Sequence, residues 1–325
     1  MYLKNCLTKK AKIKTLLVGC GRIGAGIGSK QHRLGSHAGV LSEMSAFDVA
    51  LYDPDLKLSK AAADSLDLLI VDHIDKSLLE SCACAVICSP TNTHFEYLSE
   101  FLNVGIPLIV CEKPVCASLE EVKKLRQLRK RSKSRVVINY TRRFQPSFEK
   151  LKKRFAHQLT QESLRTISVR YQRGFLNNAS HALDLVQFLT GWDILSAKVH
   201  SFQGVCDEFP NDPTLSGHGN WNGAALSFLG LPNVRFSLFE IDFFFVRSAI
   251  RLRDRGETIE FADSNDPSDY YAPLSVKKIS QGNLQEPLKN LYRHVAKMAC
   301  DPAIPDNFDE SLKLTEWILQ ILKKA

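Results

Sequence analysis

The stretch best suited to chemistry is a glycine-rich turn near the start of the chain, with the sequence GCGRIG at residues 19–24. It follows directly on a short apolar run, residues 16–18, that predicts a strand. In a GxGxxG turn the first glycine permits the tight bend, the second lets backbone approach a pyrophosphate, and the third lets a helix pack closely. The N–H groups at the start of that helix, helped by its dipole, would face the phosphates. The predicted dinucleotide-binding residues here are Gly19, Gly21, Arg22, Ile23 and Gly24.

A carboxylate that fits the same ligand follows the next predicted strand. Asp53 comes directly after the apolar segment 49–52. A carboxylate at a strand's carboxyl end can accept both hydroxyls of a ribose and would repel a 2′-phosphate, which favours NAD over NADP. The alternative is an ordinary turn aspartate before Pro54.

The spacing between these two features indicates an inserted loop. Asp53 lies 29 residues beyond Gly24, whereas a compact unit places the acid about 20 residues after the glycines. Gly26, Gly28 and Gly35 also interrupt the helix that should follow the turn. We therefore predict a mobile loop over residues 25–36 that folds over the cofactor.

The elements that must position these residues alternate strand and helix from residue 14 to residue 140, as in a doubly wound parallel sheet. Ligands of such sheets bind beyond the carboxyl ends of the strands. Besides the glycine turn and Asp53, two further segments follow predicted strand ends: residues 89–94 (SPTNTH) and residues 112–114 (EKP). Their shared location predicts one binding edge.

The pattern changes after residue 140. Helices are predicted at residues 146–159 and 179–189, and the strand-like segments are 166–172, 198–205, 223–229, 234–241, 249–253 and 258–261. This is the pattern of an antiparallel sheet with helices on one face. Residues 216–223 (SGHGNWNG) are interpreted as a loop in which His218 and Trp221 either line a substrate pocket or serve the loop itself. We place a Rossmann domain at residues 1–138 and an α+β domain at residues 139–325, with C-terminal helices packing back on the first domain.

The composition argues against a membrane-spanning, secreted or metal-binding protein. No apolar run approaches the about 18 residues of a membrane span, and no secretory leader is recognised. The nine cysteines form no pair of CxxC motifs, so we expect reduced thiols, no metal site and a cytoplasmic location. The net charge of the chain is +8, and the excess of basic residues is concentrated in one segment. Residues 123–154 hold fourteen of the 43 basic residues and one acidic residue. A solvated helix face, a nucleic-acid surface and a site for an anionic small ligand all remain open for this segment, and the first is favoured over nucleic acid.

Several motifs in order resemble one protein family. The GCGRIG turn, SPTNTH, CEKP, INYTRRFQP and NASHALDLVQFLTG are similar to those of the glucose-fructose oxidoreductase, inositol dehydrogenase and rhizopine-catabolism (Gfo/Idh/MocA) family, and the resemblance covers nearly the whole chain. It implies a Rossmann domain followed by a domain with a large, mostly antiparallel open sheet that often supports oligomers, here a homodimer or homotetramer. It also implies an NAD(P)-dependent dehydrogenase acting on CH–OH groups of a sugar, cyclitol or nucleotide sugar.

The resemblance also implies roles for particular residues. Lys113 would hydrogen-bond the reacting oxygen and stabilise its growing negative charge, and Pro114 matches a proline whose preceding bond is often cis. His181 would accept the proton, since its ordinary pKa lies near neutrality. Residues matched to the cofactor segment are Ser89, Pro90, Asn92, His94, Glu112 and Lys113, with simple ion pairing as the alternative for Glu112.

Asn177, His181 and Asp184 are spaced so that one helical face would present all three, if the helix begins early enough. The family usually has aspartate at the position of Asn177, and asparagine cannot accept a proton although it can bind a hydroxyl. Lys113 and His181 are therefore the predicted working pair, with Asn177 in support and Asp184 structural or orienting. Arg142 or Arg143 is expected to reach the substrate or cofactor. A non-catalytic NAD-binding regulator of the same fold is the alternative function.

Overall fold

The parallel sheet predicted for the first part of the chain is present in the computed structural model, which describes residues 11–27, 35–207, 211–266 and 268–325. Its strands are β1 (Ile13–Val18), β2 (Phe47–Tyr52), β3 (Leu69–Ile70), β4 (Cys84–Ile87), β5 (Leu108–Cys111) and β6 (Arg135–Ile138). All pair in parallel, in the order β3-β2-β1-β4-β5-β6. This is the strand order of a dinucleotide-binding Rossmann sheet, which confirms the predicted fold of this part.

Helices connect these strands, and the first connection is irregular. The helices are α1 (Arg22–Ala25), α2 (His37–Ser42), α3 (Leu56–Leu66), α4 (Lys76–Ser81), α5 (Thr91–Val104) and α6 (Leu119–Arg131). α1 has one turn and ends at Gly26, which adopts a left-handed conformation with φ of 74°. The predicted interruption of the first helix is thus confirmed, while residues 28–34 of the predicted mobile loop lie outside the described residues.

A second sheet of eight strands follows. Its strands are β7 (Leu164–Gln172), β8 (Lys198–Val205), β9 (Thr214–Trp221), β10 (Ala224–Leu231), β11 (Phe239–Phe245), β12 (Ser248–Arg253), β13 (Thr258–Ser264) and β14 (Leu274–Gln281). The order is β14-β13-β12-β11-β7-β10-β9-β8, and only the β7–β10 pair is parallel. The mostly antiparallel sheet of the prediction is confirmed. β9 and β14 were not expected, and β11 begins five residues later than predicted.

Four more α-helices lie in the described part of the chain. They are α7 (Pro146–Gln161), α8 (Ser180–Thr190), α9 (Pro287–Cys300) and α10 (Phe308–Leu322). α7 packs on the second sheet through Phe155, whose ring centroid lies 4.7 Å from that of Phe243. α8 ends at Gly191 in a left-handed conformation, as its sequence predicts.

The chain divides into two units, which we describe separately. The first unit comprises Met1–Thr141 and Glu286–Leu312, and the second comprises Arg142–Gln285 and Lys313–Ala325. Within the first unit α9 contacts α2, where the Tyr292 hydroxyl lies 2.5 Å from His37 Nδ1. The eight cysteines in the described residues all carry free thiols.

Candidate cofactor and catalytic site

The first and third glycines of the turn lie where other backbone atoms approach too closely for a side chain. Gly19 has a φ of +97°, and a Cβ there would lie 2.5 Å from the backbone nitrogen of Ser89. A Cβ on Gly24 would lie 1.8 Å from the carbonyl oxygen of Gly19. The backbone N–H of Gly19 donates to the carbonyl of Tyr52 at 2.9 Å. These two glycines are therefore required by the fold of the turn, with or without a ligand.

Gly21 differs from both. It has an ordinary φ of −69°, and a Cβ built there meets no atom within 4 Å. The fold alone thus tolerates a side chain at this position, and the space above Gly21 is what a pyrophosphate would fill. The expected contribution of a helix dipole to phosphate binding is smaller than predicted. α1 has only four residues and is too short to supply the dipole of a full helix. Arg22 and Ile23 are exposed on this turn.

Asp53 lies against the same turn. It is 8% exposed; its Oδ2 accepts the backbone N–H of Cys20 at 2.7 Å, and its Oδ1 accepts that of Asp55 at 2.9 Å. A carboxylate oxygen accepts two hydrogen bonds, so each oxygen keeps one site for a ribose hydroxyl. Burial and then the Asp53 charge raise the pKa of the Cys20 thiol to about 12, so this thiol stays neutral.

The segment after β4 forms the next part of this edge. Ser89 follows the strand, and Pro90 precedes the first residue of α5. Thr93 Oγ1 donates to Ser89 Oγ at 2.7 Å, whereas Asn92 is exposed. Since a Cβ on Gly19 would lie 2.5 Å from the backbone nitrogen of Ser89, the glycine turn and this segment are neighbours.

His94 joins this segment to the one after β5. Its side chain is buried, with Nδ1 2.8 Å from the carbonyl oxygen of Pro114 and Nε2 2.9 Å from that of Ser89. Both ring nitrogens thus contact protein backbone, and the structure gives His94 a positioning role. The Lys113–Pro114 bond is cis, as the family resemblance implies, and Lys113 is half-buried.

Glu112 belongs to a buried polar relay of four side chains. Its Oε1 lies 2.8 Å from His37 Nε2 and accepts Asn139 Nδ2 at 2.5 Å. His37 Nδ1 lies 2.5 Å from the Tyr292 hydroxyl. His37 is fully buried, and Glu112 is 16% exposed. The relay ties the ends of β5 and β6 to α2 and α9, and the cofactor contact of Glu112 stays a prediction.

The relay keeps Glu112 ionised. Burial alone would raise the pKa of this carboxyl, but hydrogen bonds from His37 and Asn139 and the electrostatic influence of His37 and Lys113 outweigh it, so the pKa lies below its ordinary value. Burial, and then nearby Cys88, Cys84 and Glu112, raise the pKa of Tyr292 well above its ordinary value. Our sequence analysis missed His37, Asn139 and Tyr292, although Asn139 follows a strand end as Glu112 does.

The residues predicted from the second half of the chain lie in the second unit. Asn177 is part of a π-helical turn, Phe175–Ala179, that precedes α8, so the condition for one shared α-helical face, a helix that begins before Asn177, is not met. The Asp212 carboxylate holds this turn by accepting the backbone N–H of Leu176 at 2.7 Å and of Asn177 at 2.8 Å. His181 is the second residue of α8 and is half-buried.

The two arginines after β6 both pack within the second unit. Arg143 Nε donates to both carboxylate oxygens of Asp184, at 2.8 and 2.7 Å, and both side chains are buried. Arg142 donates twice to the carbonyl of Arg255, at 3.2 and 2.7 Å, and its guanidinium lies 3.8 Å from the ring centroid of Phe239. Burial, and then Arg255, lower the pKa of Arg142 to about 10. A substrate contact by Arg142 stays a prediction.

The loop interpretation of residues 216–223 is wrong. His218 and Trp221 lie on β9, which pairs with β8 and β10. The Trp221 ring is buried, and its Nε1 donates to the carbonyl of Asp193 at 3.0 Å. Trp221 is therefore a core residue, and its glycine-rich surroundings concealed a strand.

The structure thus groups all the predicted cofactor residues in the first unit and Arg142, Asn177 and His181 in the second. Within the described part of the chain, no three His, Cys, Asp or Glu side chains gather where they could hold a metal ion. None of the helices in that part is both long and apolar enough to cross a membrane.

Comparison with known proteins agrees with this geometry. Residues 13–140 match the Gfo/Idh/MocA family model, described as an oxidoreductase family with an NAD-binding Rossmann fold. The chain is 25% identical over 205 residues to myo-inositol dehydrogenase Hyg17 of Streptomyces leeuwenhoekii, covering 59% of this chain and 60% of that protein. It is 29% identical over 138 residues to the rhizopine catabolism protein MocA of Rhizobium meliloti, covering 42% and 40%. The matches thus span less than two thirds of these relatives.

Solved structures share the whole fold. UDP-N-acetylglucosamine 3-dehydrogenase GnnA from Acidithiobacillus ferrooxidans matches with a TM-score of 0.74 at 16% identity, covering 97% of this chain and 98% of that one. A super-repressor mutant of Gal80p from Saccharomyces cerevisiae matches with a TM-score of 0.73 at 15% identity, covering 96% and 95%. At these identities the likeness shows the fold, and the fold alone.

Proposed function

We propose that this chain, whose residues 13–140 match the family model of the Gfo/Idh/MocA NAD-binding oxidoreductases, transfers a hydride between NAD and a hydroxyl-bearing carbon of a sugar, cyclitol or nucleotide sugar. The observation that carries the proposal is the open space at Gly21, in a turn whose other two glycines are sterically required. The fold of the turn explains why residues 19 and 24 are glycine, and a bound pyrophosphate would explain why residue 21 is glycine.

The residues present fit a dinucleotide. The backbone of the glycine turn would hold the pyrophosphate, and the free acceptor sites of Asp53 would take the two ribose hydroxyls. A carboxylate there would repel the 2′-phosphate of NADP, so we propose NAD. When bound, the nicotinamide takes up or donates the hydride.

The proposal assigns the remaining chemistry to side chains of this protein. In the oxidation direction the substrate carbon loses a hydride, and the hydroxyl proton passes to His181 Nδ1 or Nε2. The Lys113 ammonium would hydrogen-bond the same oxygen and stabilise the negative charge that grows on it. Asn177 would bind a neighbouring hydroxyl and take no proton. The buried relay, through Glu112, would fix the backbone that carries Lys113.

The substrate class follows from the relatives by analogy. One similar protein is a myo-inositol dehydrogenase and a protein of the same fold is a UDP-N-acetylglucosamine 3-dehydrogenase, so cyclitols and nucleotide sugars are the first compounds to test. A homodimer or homotetramer, and a cytoplasmic location, are further parts of the proposal.

The test is hydride transfer, followed by NADH absorbance, with the full chain and a panel of myo-inositol, free sugars, and UDP- and GDP-sugars. With the active substrate, Lys113→Met should lower kcat by about a hundredfold or more and leave NADH affinity within about twofold. Lys123→Met, at an exposed lysine of α6, is the matched control and should keep full activity. Full activity in Lys113→Met would overturn the assignment.

A second candidate is a non-catalytic NAD-binding regulator. It is favoured by Asn177, which stands where the family usually has an aspartate, and a regulator, Gal80p, has the same fold. Retention of Lys113 and His181 argues against it. NADH binding without turnover across the whole panel would establish it.

A further inference from the structure

The basic segment 123–154 is only partly explained by internal partners. Arg129 pairs with Asp306 at 2.9 Å, and Arg135 donates to the carbonyl of Asp301 at 3.0 Å. Arg143 is paired with Asp184, as described above. Two other members of the segment, Lys150 and Arg154, have no carboxylate partner among the described residues.

Lys150 and Arg154 line a surface groove that lies entirely within the second unit. The groove has a volume of about 320 Å³ and is formed by one face of α7 together with β13 and β14. Lys278 of β14 adds a third cation, which likewise has no carboxylate partner in the described part of the chain. The lining contains no Asp or Glu. Among the described residues, the groove therefore carries three positive charges that no carboxylate pairs with.

The groove also offers a flat surface. The guanidinium carbon of Arg154 lies 3.7 Å from the ring centroid of Phe261, and Arg154 is exposed. Leu151 and Ile259 add apolar surface to the lining. An exposed guanidinium is planar, and the ring of a ligand can stack on it.

Neighbouring lysines on the same elements are engaged elsewhere. Lys152 of α7 lies 4.5 Å from the ring centroid of Phe188, and Lys277 of β14 donates to Asn265 Oδ1 at 2.7 Å. Neither residue lines the groove. The gathering of Lys150, Arg154 and Lys278 thus reflects the direction of individual side chains rather than the overall charge of α7 and β14.

We propose that this groove is a second binding site, separate from the glycine turn, for a small organic phosphate that carries a ring. Lys150 and Lys278 hold the phosphate by charge-assisted hydrogen bonds. The ring lies on the exposed plane of Arg154. The groove's size is that of a small-molecule site, and the proposal does not depend on whether the chain is a dehydrogenase.

The test is calorimetric titration of the full chain with phenyl phosphate in the presence of saturating NADH, which keeps the glycine turn occupied. Lys150→Gln and Lys278→Gln should each weaken binding by about fivefold. Lys152→Gln and Lys277→Gln make the same charge change on the same elements and should leave the affinity unchanged. All four sites are exposed, so melting temperatures should stay constant.

Two further arms sharpen the test. Arg154→Lys keeps the positive charge but removes the planar guanidinium. It should therefore lower the affinity for phenyl phosphate and leave the affinity for inorganic phosphate unchanged. Raising the salt concentration should weaken both probes. Absence of phenyl phosphate binding, or equal losses in all four lysine variants, would overturn the proposal.

Discussion

The glycine turn of the first unit and the groove of the second both suit a phosphate group, but they differ in what they offer it. The turn offers backbone and open space at Gly21, with one exposed cation, Arg22. The groove offers three side-chain cations, Lys150, Arg154 and Lys278. Binding at the turn should therefore depend on shape and weaken by about tenfold or more when a methyl group is added at Gly21. Binding at the groove should depend on charge and weaken with salt.

The charged side chains near the two sites differ in the same way. At the strand ends of the first unit, Glu112 is held by His37 and Asn139 inside the protein. Lys150 and Lys278, at the groove, have no such partner in the described residues. Charges with internal partners serve position and stability, and charges without them are available to a ligand.

The largest expected effect separates the glycines of the turn. Gly24→Ala places a Cβ 1.8 Å from the Gly19 carbonyl oxygen, so the turn cannot close, and we expect a loss of at least about 3 kcal/mol in the free energy of unfolding. Gly21→Ala meets no atom within 4 Å and should unfold like the parent. Urea denaturation of both variants measures this, and equal stabilities would remove the steric basis of the comparison.

The next largest effect tests the contacts that Glu112 makes with His37 and Asn139. Glu112→Gln removes the charge of a carboxylate that is hydrogen-bonded to His37 and Asn139 and should cost about 2 kcal/mol. Lys150→Gln, which removes a charge without a partner, should change stability by no more than about 0.5 kcal/mol. If the two variants were equally stable, the distinction between partnered and available charges would fail.

The contribution of the Glu112 carboxylate to stability should depend on pH. The pKa of Glu112 is lowered in the folded protein, so its contribution to stability is complete above the unfolded pKa of about 4.3. That contribution is lost as pH falls through the folded value. The stability difference between the parent and Glu112→Gln should therefore be largest near neutral pH and shrink toward pH 3. A difference that does not vary with pH would show that Glu112 gains nothing from ionisation.

A smaller effect is expected at the far end of the relay. Tyr292→Phe deletes the hydroxyl that lies 2.5 Å from His37 Nδ1 and leaves that buried nitrogen without this partner, at a cost of about 1–3 kcal/mol. Tyr271→Phe, at a residue that is 88% exposed, is the control and should be neutral. A neutral Tyr292→Phe would mean that the relay ends at His37.

Local patterns predicted most of the first unit. The strand before GCGRIG and the strand end at Glu112 depend on residues close in sequence, and both are present in the structure. The relay could not be predicted in this way, because His37 and Tyr292 are 255 residues apart. Only packing of α9 on α2 brings them together.

The second unit was harder to predict for a different reason. β9 contains Gly217 and Gly219, which weaken any strand signal, and it exists because β8 and β10 pair with it on either side. β14 is an edge strand, rich in exposed residues, that lacks the alternation of a half-buried strand. Pairing partners, rather than local sequence, set both strands. The groove was missed for the same reason, since Lys278 lies on β14.

The central claim is that the glycine turn binds a dinucleotide in the space at Gly21. Fluorescence titration of NADH into the parent and Gly21→Ala, with melting temperatures measured in parallel, tests it most directly. We predict saturable binding to the parent and a loss of about tenfold or more in affinity for Gly21→Ala at an unchanged melting temperature. No binding to the parent, or equal affinity in the two proteins, would contradict the account.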